Sequence, residues 1–484
     1  MARPAHTLTI GASSSDDLCN LSAVAAVDLL GKGEISPLDL VDAAIARVET
    51  VDGRINALPL RRFEAARHEA KAFSRVTDGA RGWLAGLPIA VKDYNDVAGL
   101  PTTCGSPLFK NAVAATSDAV VQRLEARGAL VLAKSNVPEF AGANTFNPVF
   151  GATANPWRTD CTAGGSSGGS AAALAAGMVW LATGNDLGGS LRIPASYCGI
   201  VGMRPSAGRV PRPSTLVPFD PLWVEGPMGR SVADVALMLD AGAYESAGDP
   251  LSFSLPGTAF LDAARAPRAP RRVAFSADLG LGPVEGEVAD LCAAAVACFA
   301  DVSASVEEAH PDFSGAIDAF QVLRAHLVAT VRGPLLDAHR DAIAPHIVWN
   351  IEKGLTQTGA DMAAADRRRG ALIAAMADFF VTYDILACPT VALAPFPLGE
   401  TYPTRIGAVE LTSYIDWMYL TFVLTLTGCP VISVPVGMTG DGRPVGLQLV
   451  GRPRGDLQLI EAAALLEQIL GPIPGAARVR QPVA

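Results

Sequence analysis

Apolar positions in the first part of the chain recur at helical spacing. Leu21–Leu30 is such a run and stops at Gly31-Lys32-Gly33. Ser36-Pro37 then supplies an N-cap and a first-turn proline, and Leu38, Leu40, Val41, Ala44, Ile45 and Val48 follow on one face. Phe63–Ala72 continues in the same mode, so the pattern predicts a helical N-terminal part over about residues 18–80. The texture changes at Leu84. Leu84–Val91 is short and apolar and predicts a buried strand with its entry turn. Asp118–Arg127 predicts an amphipathic helix that ends at Gly128, followed by a strand at Ala129–Ala133. The same step recurs as helix Ser170–Gly177 and strand Met178–Thr183, and strand Arg272–Phe275 precedes helix Glu285–Ala300. Tyr383–Ala387 and Val431–Val434 predict further buried strands. This alternation predicts an α/β fold: a large mixed, mostly parallel sheet covered by helices on both faces. One domain over residues 1–484 is expected, with candidate seams at Ala243–Pro256 and Ala264–Arg271, within 243–271.

Composition narrows the classes of partner. Half of the 484 residues are hydrophobic and 18% are charged, which suits an enzyme with a large core and a deep pocket. Acidic residues outnumber basic ones by 48 to 38, and no Lys/Arg block occurs, so nucleic acid is not an expected partner. The apolar runs Ala171–Ala176 and Met418–Leu426 are too short to span a bilayer, so no membrane partner is expected. Met1–Asp17 is polar and Ser-rich, without the order of a signal peptide. The eight cysteines, at 19, 104, 161, 198, 292, 298, 388 and 429, show no CxxC spacing. They read as reduced thiols of a cytoplasmic protein, with no metal site.

Three segments carry candidate chemistry: Gly86–Asp93 with Lys92, the Gly/Ser run Gly164–Ser170, and Gly184–Arg192 with Ser190. Two glycines directly before Ser190 permit a tight turn whose backbone N–H groups converge. Leu187, Gly188, Gly189 and Ser190 are therefore candidates for an oxyanion hole around a serine nucleophile, against the reading of an ordinary turn after a strand. The Gly164–Ser170 run before a helix is a natural cradle for an anion or polar group. Phosphate binding lacks the Walker lysine. Gly165-Ser166-Ser167-Gly168-Gly169 fits GxSxG in form, but the residues before it read as loop rather than strand. None of the six histidines lies between the first and last of these segments, which points to another proton acceptor without deciding it. Lys92 is the candidate, because Ile89, Ala90 and Val91 should carry it inward and burial lowers an amine's pKa. A lysine paired with Asp93 or Asp96 at a sheet edge is the competing reading.

The run Gly164–Arg204 resembles the amidase signature, and Gly86–Asp93 resembles the lysine segment of that family. Lys134–Ala141 and Gly428–Gly437 match in the same order, and the similarity extends over most of the chain. The resemblance implies a Ser–cis-Ser–Lys triad, with Ser190 as nucleophile, Ser166 as bridging serine in a cis peptide and Lys92 as base. It implies no metal or cofactor, and supporting roles for Ser167, Asp186 and Arg192. Asn185 departs from the Thr or Ser that many relatives carry. Segments that border the site in relatives nominate Tyr94, Phe140, Ala141, Gly142 and Trp417 for the pocket, with Phe146, Phe150, Tyr419 and Phe422 near it. Arg209, on the loop Pro205–Leu216, is nominated as a gate. The implied activity is hydrolysis of aryl or hydrophobic amides, with carbamates as a urethanase-like extension, by a monomer or homodimer. The alternatives are a glutaminase-type component of an amidotransferase complex, a non-catalytic amide-binding descendant, and a cysteine amidase using Cys104 or Cys198.

Overall fold

The structure, a computed structural model, describes residues 15–74 and 80–472. The polar stretch at the N-terminus lies outside them up to Ser14, as do residues 75–79 of the N-terminal part.

The N-terminal part is helical where it is described: α1 (Ser15–Asn20), α2 (Ala23–Lys32), α3 (Pro37–Ile55) and α4 (Phe63–Ala72), with the two-residue strand β1 (Leu60–Arg61) between the last two. Local chemistry sets the ends of these helices. Ser22 caps α2 by accepting from the Ala25 N–H, and Gly33 closes it at φ 73°. Ser36 and Asp39 form a reciprocal capping box at the start of α3, with Pro37 in the first turn. The inward face of α3 buries Leu40, Val41, Ala44, Ile45 and Val48. A helix of this length gains most of its stability from that apolar stripe rather than from propensity.

The next stretch contains β2 (Pro88–Lys92), α5 (Ala119–Ala126), β3 (Leu130–Ser135), a small ribbon of β4 (Phe146–Asn147) and β5 (Gly151–Ala152), α6 (Gly168–Ala175), β6 (Leu181–Asp186), α7 (Arg192–Cys198), β7 (Val201–Arg204) and β8 (Val224–Gly229). The strands expected from Leu84 and from Met178 start later than their apolar patterns, at Pro88 and Leu181. Leu84–Leu87 closes a turn through the Leu87 N–H to Leu84 carbonyl bond (2.9 Å), so β2 begins at Pro88. After α6, Gly177 turns at φ 71° and the Met178 N–H returns to the Ala173 carbonyl (2.9 Å). That helix closure uses residues expected to be strand and moves β6 to Leu181–Asp186.

The chain continues through α8 (Val232–Gly242), α9 (Phe260–Arg265), β9 (Arg272–Phe275), α10 (Gly286–Ala297), β10 (Ser305–Glu308), α11 (Ala316–His339), α12 (Pro345–Leu355) and α13 (Gly359–Thr382). It ends with β11 (Ile385–Pro389), a ribbon of β12 (Arg405–Ile406) and β13 (Val409–Glu410), α14 (Tyr419–Thr425), β14 (Val431–Met438), β15 (Pro444–Val450) and α15 (Asp456–Leu470). The two expected seams are connections, from α8 to α9 and from α9 to β9.

One sheet of 11 strands holds the order β1-β3-β2-β6-β8-β7-β14-β15-β11-β9-β10. It is mixed, as expected, but its parallel share is smaller than the alternation suggested. Parallel ladders join β3, β2 and β6 on one flank and β11, β9 and β10 on the other. Every pairing from β6 across β8, β7, β14 and β15 to β11 is antiparallel, as is the edge pair β1–β3. The short connection between β14 and β15 permits only a hairpin, which the helix–strand pattern did not reveal. No helix among the described residues is long and apolar enough to cross a membrane.

Candidate active site

The C-terminal end of β2 carries Lys92 into the protein, where it is fully buried. Its Nζ lies 2.8 Å from Ser166 Oγ, 2.6 Å from Asn185 Oδ1 and 3.4 Å from the Asn185 carbonyl oxygen. The Tyr94 ring centroid is 4.9 Å away. Burial lowers the Lys92 amine to about 7, against the opposing fields of Glu225 and Asp186. The edge-pair alternative does not hold, because Asp93 bonds Lys134 instead (2.7 Å), with both side chains out of solvent. Asp96 forms no ion pair with Lys92 among the described residues, and its backbone N–H donates to Asp118 Oδ2 (3.0 Å).

Ser166 follows Gly165 through a cis peptide bond, just before α6. Gly165 has no room for a side chain, since a Cβ there would lie 2.1 Å from the Ala143 carbonyl oxygen. Ser167 ties this turn to the next segment: its N–H donates to the Ser190 carbonyl (3.3 Å) and its hydroxyl to the Asn185 carbonyl (3.5 Å). Ser190 is half-buried and faces a cavity. No hydrogen bond joins its hydroxyl to Ser166 among the described residues.

Asp186 organises the turn before Ser190. Its carboxylate accepts from the N–H groups of Gly189 (2.9 Å) and Leu191 (3.2 Å) and from Arg192 at two positions (both 3.0 Å). Arg204 reaches its carbonyl as well (2.6 Å). Burial alone would raise this carboxyl, but the Arg192 and Arg204 charges outweigh it and hold it at about 2. Arg192 also donates to Thr421 O, Gln448 Oε1 and Thr425 Oγ1, which fixes α7 to α14 and β15. This geometry revises the expected oxyanion hole. The Gly189 N–H is already committed to Asp186, so those of Leu187, Gly188 and Ser190 are the three without a protein acceptor among the described residues. Gly189 sits at φ 127°, and a Cβ there would meet Thr421 Oγ1 at 2.3 Å.

The cavity in front of Ser190 is lined by Tyr94, Phe140, Ala141, Leu187 and Gly188 among others. α11 contributes Phe320, Arg324, Leu327, Val328, Val331 and Arg332 to the lining, at spacings that share one helix face. Met418, Trp223 and Ala143 complete it. Tyr94, Phe140 and Ala141 therefore lie where expected, and the Tyr94 hydroxyl pins the loop by accepting from the Ala141 N–H (2.6 Å).

Several expected pocket residues lie elsewhere. Gly142 faces α12, where a Cβ would meet His346 Nε2 at 2.6 Å. Trp417 is fully buried between Tyr197 and Phe396, with its indole N–H on the Tyr414 carbonyl (3.0 Å). Arg209 is no gate: it is buried, donates to Asp456 (3.5 Å) and Ser254 O (3.0 Å), and stacks on Phe253 at 3.9 Å. It clamps its loop to α15. Phe146 is exposed, Phe150 does not line the cavity, Tyr419 reaches Pro283, and Phe422 stacks behind Phe320 at 4.5 Å. Cys198 bonds the Ala163 carbonyl and Cys104 is half-buried; burial pushes both thiols up, which disfavours a thiolate.

Sequence reasoning missed Glu225 and the α11 wall. Glu225 pairs directly with Asn185 across β8 and β6. Burial pushes its carboxyl up to about 7, against Arg212 and Lys92. The buried atoms Glu225 Oε2, Asn185 Nδ2 and Asn95 Oδ1 lack hydrogen-bond partners among the described residues. The spacing of Phe320, Leu323, Leu327 and Val331 was a readable signal for α11, though not for its place.

With this geometry in view, the comparisons are specific. The family model described as Amidase matches residues 39–460. An acylamidase of Rhodococcus erythropolis is 36% identical over 455 residues, covering 93% of this chain and 95% of that protein. A glutamyl-tRNA(Gln) amidotransferase subunit of Geotalea daltonii is 32% identical over 471 residues, covering 91% of this chain and 95% of its own. The crystal structure of a bacterial aryl acylamidase of the amidase signature family superposes with a TM-score of 0.88 at 30% identity, covering 95% of this chain and 98% of the other. The chain belongs to the amidase family and is an amidohydrolase.

Proposed function

We propose that this amidohydrolase cleaves its substrate through a serine acyl-enzyme, with Ser190 as nucleophile, Ser166 as relay and Lys92 as base. The observation that carries this reading is the set of contacts around Lys92 Nζ. A neutral amine has two N–H donors and one lone pair. Asn185 offers two acceptors, and Ser166 Oγ at 2.8 Å is left to donate its proton to the lone pair. An amine lowered to about 7 is poised to act in that form near neutral pH.

Ser166 then draws the proton of Ser190 as Ser190 attacks the carbonyl carbon. The C–N bond breaks with the proton returned to the leaving nitrogen, and water attacks the ester to release the acid. The N–H groups of Leu187, Gly188 and Ser190 receive the oxyanion. The Ser166–Ser190 link must close by a side-chain movement; catalytic hydrogen bonds commonly tighten only in the substrate complex.

The apolar wall of Phe140, Phe320, Leu327, Val328 and Met418 favours an aryl or hydrophobic amide. The similarity to an acylamidase and to an aryl acylamidase structure supports the same choice. Carbamates present the same carbonyl–nitrogen bond and are proposed as slower substrates. A panel of anilides, aliphatic amides, esters and carbamates tests the reading on wild type and Ser190→Ala. Anilide turnover that disappears in Ser190→Ala is expected; anilide turnover that survives it contradicts the serine mechanism. The similarity to an amidotransferase component favours a second reading, as a glutaminase in a complex. Glutamine hydrolysis exceeding anilide hydrolysis, with a stable partner on gel filtration, would favour it.

A further inference from the structure

The cavity wall contains two charged side chains besides its apolar residues, and both are arginines of α11. Neither Arg324 nor Arg332 forms an ion pair among the described residues. Arg324 is buried, with its two terminal nitrogens on neutral acceptors, Asn350 Oδ1 (2.8 Å) and the Tyr414 hydroxyl (2.5 Å). Arg332 has its guanidinium over the Phe140 ring at 4.6 Å and beside the Cys104 thiol. No carboxylate among the described residues lines the cavity. Trp223, on the same wall, has a buried indole N–H without a partner among the described residues. The lining therefore offers donors and positive charge in a chain whose net charge is −10.

Arg324 is buried and Arg332 half-buried, and even a partly desolvated cation gains from an anionic partner. A guanidinium in an apolar wall next to a reactive serine is complementary to a planar anion brought in from outside. The two arginines are eight positions apart, so their backbones lie about 12 Å apart along the helix. One carboxylate thus has one principal partner. Arg324 is already tethered through both terminal nitrogens, and Arg332 is not.

We propose that the substrate is an amide bearing a carboxylate as well as an apolar or aryl body, and that Arg332 receives the carboxylate while Arg324 adds to the positive field. This rests on the amide-hydrolase reading of the Ser190 site and names its substrate class. Arg332 is a binding residue in this account, so its effect falls on KM rather than on kcat.

Two matched pairs test it. The acyl-side pair is glutaryl and pentanoyl 4-nitroanilide; the amine-side pair is 4-acetamidobenzoate and 4-methylacetanilide. In at least one pair the carboxylate member is expected to be preferred by about tenfold or more in kcat/KM, mostly through KM. Arg332→Gln should collapse that ratio, and Arg332→Lys should restore part of it. Equal use of both members of both pairs, or a ratio unchanged in Arg332→Gln, overturns the proposal while leaving the hydrolase reading intact. Calorimetric titration of Ser190→Ala with the same four compounds removes turnover from the measurement. Tighter binding of the carboxylate members there, lost in the Ser190→Ala/Arg332→Gln double variant, supports the proposal even if the wild type cleaves none of them. Indifference in that titration overturns it.

Discussion

The floor of the cavity and its α11 wall are built by different rules. The floor, from Gly164 to Arg204 with the end of β2, is dense in buried polar groups that hold one another. Asp186 alone anchors two arginines and two backbone N–H groups. The segment is rich in small residues because backbones approach closely, as at Gly165 against Ala143. The α11 wall has a sparser set, in which Arg324 bonds Asn350 and Tyr414. It is one face of a helix, apolar except for Arg324 and Arg332, and Phe320 stacks on Phe422 behind it at 4.5 Å. A change at one of the floor's anchoring groups, such as Asp186, should therefore alter reaction and fold together. A change in the wall should alter which molecule is held.

The sharpest contrast should come from Ser190→Ala. Loss of the proposed nucleophile is expected to lower kcat by roughly 10⁴-fold or more. The melting temperature should stay near wild type, because the Ser190 hydroxyl joins no hydrogen bond to Ser166. Next, Lys92→Met should cost on the order of 10²–10⁴ in kcat, and the buried Asn185 acceptors that lose their donor offset what is gained by removing a buried amine. Its pH dependence is a second readout. The folded-state pKa of Lys92 is lowered from 10.5 to about 7, so the unfolded chain binds more protons between those values. The penalty of burying Lys92 is full below pH 7 and fades as pH rises toward 10.5. Denaturant titrations should find the stability difference between Lys92→Met and wild type moving in favour of wild type over that window.

Asp186→Ala should break the floor as a structure. It leaves Arg192 and Arg204 buried without their carboxylate, at an expected cost of about 3–5 kcal/mol in urea unfolding. Glu225→Gln should act more gently. Removing a charge that raises the Lys92 pKa should move the acid limb of kcat/KM to lower pH. Arg209→Ala should be smallest in kinetics: the ratio of bulky to small amides should not change, while stability falls by about 1–3 kcal/mol because Asp456 loses a buried partner. A changed ratio would return Arg209 to the pocket and blur the division between floor and wall.

The floor was largely legible in the sequence because its information is local. Glycine and serine runs, and a lysine closing an apolar strand, occupy short segments whose spacing reflects their chemistry. The wall was not legible, because its place depends on partners far away in the chain. Arg209 is placed by Asp456, 247 positions later. Trp417 adjoins the cavity-lining Met418 but turns into a stack with Tyr197 and Phe396. Glu225 meets Asn185 through strand register, which periodicity does not encode. The antiparallel centre of the sheet escaped for the same reason: alternation of helices and strands reports neighbours in sequence, not strand order.

In the proposed mechanism an uncharged Lys92 withdraws the Ser190 proton through Ser166. The most direct measurement is the rate of covalent labelling by a fluorophosphonate as a function of pH, with the modified residue identified by mass spectrometry. Labelling of Ser190 should rise through an apparent pKa near 7 and be lost in Lys92→Met and Ser166→Ala. Labelling at another residue, or a Lys92→Met variant labelled as fast as wild type, would contradict it.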